Sequence, residues 1–247
     1  MGEGTEIAIM DADELEIVYE DDELIAVNKP ADLLVHAAGI SDRPNLQSLL
    51  EDRFGRELVL FHRLDRDTTG IVLLGKKRSV NAAMAAKFEQ KKIRKAYWAV
   101  VNGRWRPEWN RVVTQIARAT GARFANVVAG GRQAISTCRL LSAADEKSWI
   151  EVLPKTGRTH QVRLHCLAMG HPILGDRLYG ERAAIPMALH AWRIDLAHPA
   201  SGAPLQIRAS PPPYWAEHWL MGLSIRDDLR SLISPQAQAR PPLKRSS

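Results

Sequence analysis

The stretch FHRLDRDTTGIVLLGK, residues 61–76, sets an acid, Asp65, between Arg63 and Arg66 and follows it with the apolar run IVLL. A surface turn tolerates the charges but has no use for the strand behind them. A rigid strand immediately downstream holds one carboxylate in a fixed pose, which is how a catalytic acid is usually mounted. Asp65 is therefore a candidate catalytic residue at the entrance of a buried strand.

On either side of this stretch, strands and helices interleave with no internal repeat. LEIVYEDDELIAVNKP (15–30) reads as a hairpin, two apolar strands around the polar EDDE and stopped by Pro30. NLQSLLEDRF is a short amphipathic helix leading into a strand LVLF. Ser79 is an N-cap for a helix over SVNAAMAAKFEQ, whose Val80, Ala83, Met84 and Phe88 recur near helical spacing. KAYWAVVNG is a strand, and two basic, glycine-punctuated strand pairs follow it as far as LLSAA. The strand SWIEVLPKTG runs into the helix HQVRLHCLAMG, closed by a glycine suited to a C-cap. LHAWRIDLAHPASGAPLQIRAS is a second hairpin and YWAEHWLMGL a final helix. Strands outnumber helices and are mostly joined by hairpins. The expected fold is α+β, with a mixed, mostly antiparallel central sheet and flanking helices.

The formal charge of +6 hides an asymmetry. Residues 1–24 carry ten acids and no Lys or Arg, so the remaining 223 residues hold 34 bases against 18 acids, a net of +16. The bases cluster at KKR (76–78), KFEQKKIRK (87–95) and along 104–123, with Arg104, Arg106, Arg111, Arg118 and Arg123. Such a body fits a phosphate-rich partner, because each neutralised phosphate releases counterions; a solvated basic face would have the same composition. The longest apolar runs are far short of the roughly 20 residues of a membrane span, and the acidic start is unlike a signal peptide, so a cytoplasmic protein with no membrane partner is expected. Cys138 and Cys166 give no disulfide framework and read as small core residues.

FHRLDRDTTGIVLL, KAYWAVVNG, PKTGRTHQVRLHCLAMGHPILGDRLYG and LHAWRIDLAHPASG occur in this order, and together they resemble the RluA-type family of RNA pseudouridine synthases over about residues 15–215. Thr69 stands where the family often has Ser and keeps the hydroxyl. No segment resembles the S4 RNA-binding domain of many relatives, so the resemblance implies a catalytic domain alone over 15–225. An acidic extension at 1–14 and a flexible tail at 226–247 flank it. It also implies a pseudouridine synthase fold with a basic RNA-binding cleft, an isomerase acting on ribosomal or transfer RNA, and a monomer.

That chemistry breaks the C1′–N1 bond of uridine, turns the uracil and joins C5 to C1′. It transfers nothing to a second molecule, so no cofactor and no metal are expected, and the sequence has no GxGxxG after a strand, no GxxxxGK[ST] and no HExxH. It needs a carboxylate near C1′, for which Asp65 matches the family's acid. By the same resemblance Arg163 is the arginine paired with that acid, and Tyr97 is the active-site tyrosine, its ring on uracil and its hydroxyl near the departing C5 proton. Arg63, two residues before Asp65, shares its side if the segment is extended, and could reach a phosphate or fill the gap left by a flipped nucleotide. Arg158, His62 and His160 complete the candidate substrate-binding set.

His160 and His165 are five apart, wrong for zinc ligands on one helix face, so they and His62 are expected to position the Asp65 and Arg163 segments or, second, to contact RNA. GHPILGD (170–176) reads as a rigid loop lining the cleft. ARATGARFANVVAGGRQAIS (117–136) is expected to form mobile hairpin loops that close on RNA. Two other classes fit part of this pattern. A catalytically inactive RNA-binding or chaperone protein would share the charge, and a nucleoside hydrolase would need a second carboxylate, with Asp176 the one candidate.

Overall fold

The computed structural model describes residues 11–37, 44–106, 109–121, 123–180 and 184–233. Strands β1 (Glu16–Glu20) and β2 (Leu24–Lys29) form the first hairpin, its turn closed by the Asp21 carboxylate, which accepts the Glu23 and Leu24 amides at 2.8 and 2.7 Å. Helix α1 (Leu46–Phe54) starts at a reciprocal cap between Asn45 and Ser48 and stops at Gly55 in a left-handed conformation. Then come β3 (Val59–Leu60), β4 (Thr69–Gly75), α2 (Asn81–Glu89), β5 (Arg94–Asn102), β6 (Trp109–Arg118), β7 (Phe124–Val127), β8 (Arg132–Ala143), β9 (Lys147–Pro154) and α3 (Gln161–Ala168). β10 (Leu189–Ala197), β11 (Pro204–Arg208) and α4 (Asp227–Ile233) complete the order.

One sheet runs β1-β2-β4-β10-β5-β9-β8-β6-β7, with β3 beside β4 and β11 beside β10. The fold is α+β as expected, and every strand pair is antiparallel except β4 with β10. β4 is buried at every residue, and β5 from Ala96 to Val101, because both faces of the sheet are covered there. Alternation assigns the faces: Ile25, Val27, Val72 and Leu74 pack with α1, whereas Leu24, Ala26, Ile71 and Leu73 pack with Met84 of α2. Trp98 stacks on Trp192 with ring centres 4.5 Å apart and meets Trp149 edge-on at 5.1 Å, filling the centre of the sheet.

The parallel pair positions the site. β10 meets β4 only at Thr69 and Gly70, while β3 takes the same edge of β4 at Leu74 and Gly75. In the fork between them the Leu73 amide is left without a strand, and the His62 Nε2 accepts it at 3.1 Å. Gly70 makes the approach possible: at φ +108°, a Cβ there would lie 2.3 Å from the Ala191 carbonyl oxygen.

Several boundaries differ from the sequence expectation. Ser79 does not cap α2; it lies inside a 3₁₀ turn, Arg78–Val80, and a cap must be extended, as Lys77 is. YWAEHWLMGL yields one π-helical turn, Trp215–Trp219. The expected tail from 226 opens instead with α4, anchored by the buried Leu229. The end of the acidic extension is a 3₁₀ turn, Ala12–Glu14, held by Arg53, which donates to the Ala12 and Leu15 carbonyls at 3.0 and 3.1 Å. The rest of both expected segments, 1–10 and 234–247, lies outside the described residues. The 117–136 stretch is mostly regular strand, the end of β6, β7 and the start of β8, because its β-branched and aromatic residues pair across the turns.

Candidate active site

Asp65 lies in the irregular loop ahead of β4, in a turn closed by the Thr68 amide donating to its carbonyl at 3.1 Å. Neither neighbouring arginine pairs with it. Arg66 turns away to Asp32 at 2.7 Å, and Arg63 is exposed at the cleft. The loop is pinned from beneath by Lys29, wholly buried at the end of β2, whose ammonium donates to the carbonyls of Pro30, Leu33 and Arg66 at 2.7, 2.9 and 2.9 Å. Burial pulls the Lys29 pKa down to about 7, against the charges of Asp67 and Asp65. Its three acceptors use all three ammonium protons.

The partner of Asp65 comes from α3, 98 residues on. Arg163 Nη1 donates to Asp65 Oδ2 at 3.2 Å, while its Nε and Nη2 fork onto Asp176 at 2.7 and 2.6 Å. Asp176 is buried and also accepts the Leu178 and Tyr179 amides at 2.9 and 3.1 Å. The bidentate grip fixes the guanidinium plane and leaves one edge for Asp65. Burial opposes the Arg163 charge, but the hydrogen bonds and charge of Asp176, then those of Asp65, outweigh it and hold its pKa above the usual value. Two carboxylates around one guanidinium leave the site with one net negative charge, at the cleft. The GHPILGD loop thus supports Arg163 from behind and does not line the cleft as expected, since its Asp176 is drawn under the guanidinium.

Tyr97 stands on β5 between Val152 of β9 and Ala191 of β10, 8% exposed and facing the cleft. Burial, then the Asp65 charge, pushes its pKa up, so it is held as a phenol. His160 precedes α3 in a left-handed conformation, with Nδ1 2.7 Å from the Tyr179 hydroxyl and Nε2 3.8 Å from Asp65 Oδ2. Gln161 pins this turn to β8 through Ser136 and the Ile135 carbonyl, and accepts from Thr156 and the Arg158 amide. Arg158 lines the cleft and donates to the Gln133 carbonyl at 3.0 Å. His62 also lines it, with a pKa lowered to about 3 by burial first and by Lys95, which keeps Nε2 free to accept from Leu73. His165 does not join the site: it is buried on the far side of α3, facing Thr114 of β6 at 3.1 Å.

These groups surround a cleft of about 570 Å³ whose bases are Arg63, Lys91, Lys95, Arg132, Lys155, Arg158 and Arg163, against the acids Asp65 and Glu89. Such an excess concentrates polyanions. Among the described residues no three His, Cys, Asp or Glu side chains are grouped to hold a metal.

A family profile described as RNA pseudouridylate synthase matches residues 23–168, which include Asp65, Tyr97 and Arg163. The chain belongs to the RNA pseudouridylate synthase family. Among relatives of this chain, an uncharacterised RNA pseudouridine synthase of Synechocystis is 36% identical over 81% of this chain and 67% of its own length. Ribosomal large subunit pseudouridine synthase C of Vibrio cholerae is 38% identical over 78% of this chain, which spans 64% of that enzyme. A tRNA pseudouridine synthase C of Salmonella typhi is 34% identical over 82% of this chain and 88% of its own. The solved structure of human RNA pseudouridylate synthase domain containing 1 superposes with a TM-score of 0.71 at 25% identity, covering 83% of this chain and 86% of the other.

Three residues have supporting roles that the sequence does not reveal. Asp176 was a candidate second carboxylate, yet its ligand set makes it the residue that aims Arg163. Lys29 carried a weak signal, a lysine closing an apolar strand, which more often snorkels to water. Tyr179 gave none.

Proposed function

We propose that this protein is an RNA pseudouridine synthase that isomerises a uridine in a structured stem-loop of ribosomal or transfer RNA. The observation that carries the reading is one carboxylate, Asp65, aimed into a basic cleft by an arginine that a second, buried carboxylate holds in place. The substrate class follows the relatives, whose names divide between ribosomal and transfer RNA. A uracil flipped from its stack enters beside Tyr97, and the cationic rim takes the flanking phosphates. Asp65 attacks C1′, or stabilises its positive charge, as the N1–C1′ bond breaks. After the base turns, C5 bonds to C1′, the C5 proton leaves and N1 gains one, so no atom is gained or lost. Tyr97, a phenol at this pH, packs against the base and relays the C5 proton rather than storing it. A hydrolytic alternative lacks its second carboxylate: Asp176 is saturated and buried, and Glu89 lies exposed on the rim. We expect a monomer working in the cytoplasm without cofactor or metal.

The test is to incubate the purified protein, in EDTA, with total RNA and map pseudouridine by carbodiimide reaction. Discrete new pseudouridines with no release of free uracil are expected. Free uracil, or no change in the RNA, would sink the proposal.

A further inference from the structure

The Tyr179 hydroxyl has one proton, two lone pairs and three partners. The Phe124 amide donates to it at 2.8 Å, it donates to the Phe124 carbonyl at 3.0 Å, and the His160 Nδ1 lies at 2.7 Å. The amide can only donate and the carbonyl can only accept, so the phenolic proton goes to the carbonyl and one lone pair to the amide. Only a lone pair is left for His160, and its Nδ1 must carry the hydrogen. Burial raises the Tyr179 pKa, which keeps the phenolic proton in place.

With hydrogen fixed on Nδ1, Nε2 is bare unless the ring is charged. Burial lowers the His160 pKa, and although Asp65 and Asp176 favour the charge while Arg163 and Arg63 oppose it, the net shift is downward. The bare Nε2 therefore lies 3.8 Å from Asp65 Oδ2, both lining the cleft. An acceptor facing an acceptor makes no bond, and the pair is built to bracket a donor from a ligand. The ring is held there by a backbone at φ +57°, a left-handed conformation unfavourable to a non-glycine residue that the surrounding bonds impose.

We propose that His160 Nε2 and Asp65 together accept a hydrogen bond from the 2′-hydroxyl of the target nucleotide, with Tyr179 as the residue that sets the His160 tautomer. The inference rests on the reading that Asp65 acts at C1′, which places C2′ one bond away. Inside an RNA chain the 3′ and 5′ oxygens are esterified, so the 2′-hydroxyl is the only sugar donor a nucleotide has. His160 would thereby make the site selective for a ribose at the target position.

The probe is a synthetic RNA hairpin with an all-uridine loop, its loop sugars all ribose, all 2′-deoxy or all 2′-fluoro, assayed for affinity and for single-turnover pseudouridine formation. Fluorine keeps a ribose-like pucker but cannot donate. With wild type, the deoxy and fluoro loops should both bind or convert about tenfold to a hundredfold worse than ribose. His160→Ala should bind ribose more weakly and show a clearly smaller sugar penalty, with Asp65 left as the one acceptor. His160→Asn, which tolerates the left-handed backbone and still offers a carbonyl oxygen, should recover part of the discrimination. Tyr179→Phe should lose part of it and show a shifted pH profile. An undiminished sugar penalty in His160→Ala, or a fluoro loop that behaves as ribose, would overturn the inference. No conversion of any loop by wild type would count against the proposed function instead, and the affinity comparison would still decide the hydroxyl contact.

Discussion

At the scale of single residues, the proposed chemistry separates one group that reacts from the groups that hold it. Asp65→Asn keeps the shape and can still accept from Arg163, but an amide neither attacks C1′ nor balances its charge. Isomerisation should fall by more than about a thousandfold with RNA affinity changed by less than about threefold, read from single-turnover rates and filter binding. Lys29→Met makes the opposite demand. It strands three carbonyls, one buried and two part-buried, at roughly 1 kcal/mol each, so we expect a loss of about 3 kcal/mol in urea unfolding and a slower reaction at unchanged RNA affinity, because the Arg66 carbonyl no longer anchors the Asp65 loop. The sequence singled out Asp65, Tyr97 and Arg163 by their places in the family's motifs, and the fold brings the three to one cleft. The roles of Asp176 and Lys29 were not legible, because they depend on contacts across 13 and 37 positions that no local pattern encodes.

At the scale of elements, hairpins and helices were legible from alternation and helical spacing, whereas the single parallel contact of β4 with β10 was not. It spans about 120 residues and touches at two residue pairs only. Gly70→Ala tests its importance. The methyl would meet the Ala191 backbone at 2.3 Å in a conformation an L residue rarely adopts, so a loss of roughly 3 kcal/mol or more is expected, with a large fall in turnover. Gly202→Ala, at φ +73° with nothing near its Cβ, should cost only about 1 kcal/mol in the same urea titration. The same junction carries a pH dependence. Wholly buried His190 accepts from Thr69 of β4 and donates to the Ala209 carbonyl, and burial lowers its pKa to about 4. His165, between α3 and β6, is lowered to about 4 in the same way. Below an unfolded value near 6.5 the unfolded chain takes up protons that the fold refuses, so their contribution is complete above about pH 6.5 and is lost as pH falls toward 4. Urea unfolding at pH 7.5 and pH 5 should differ by about 2 kcal/mol for each of these histidines; equal stabilities would mean that they are not held neutral.

At the scale of the whole molecule, charge is arranged in two roles, and a salt titration tells them apart. Arg163 is neutralised inside the protein by Asp176 and Asp65, while Arg118 and Arg123, exposed at the turn of β6 and β7, have no acid paired with them among the described residues. That hairpin packs against α3, with Phe124 edge-on to His160 and Asn126 bonded to the Leu164 carbonyl. Its arginines are open to the phosphates of the proposed RNA substrate, although the expected loops are strands. Replacing Arg118 and Arg123 together by Ala should weaken binding to RNA of any sequence and lower the slope of log affinity against log salt by about 1.4 to 1.8, since each phosphate contact contributes roughly 0.7 to 0.9. Single-turnover conversion of RNA already bound at saturating enzyme should change by less than about threefold, because neither arginine lines the cleft around Asp65. Asp65→Asn supplies the contrast, with an unaltered salt slope and no conversion. Arg163→Ala would be a poor substitute for it: emptying that position leaves the buried Asp176 without its cation, a loss of about 3 to 5 kcal/mol that would blur binding and chemistry together. If the double arginine variant kept the wild-type slope, the hairpin would not be gripping the backbone, and the grip would have to come from Arg63, Lys91, Arg132 and Lys155 on the cleft wall itself.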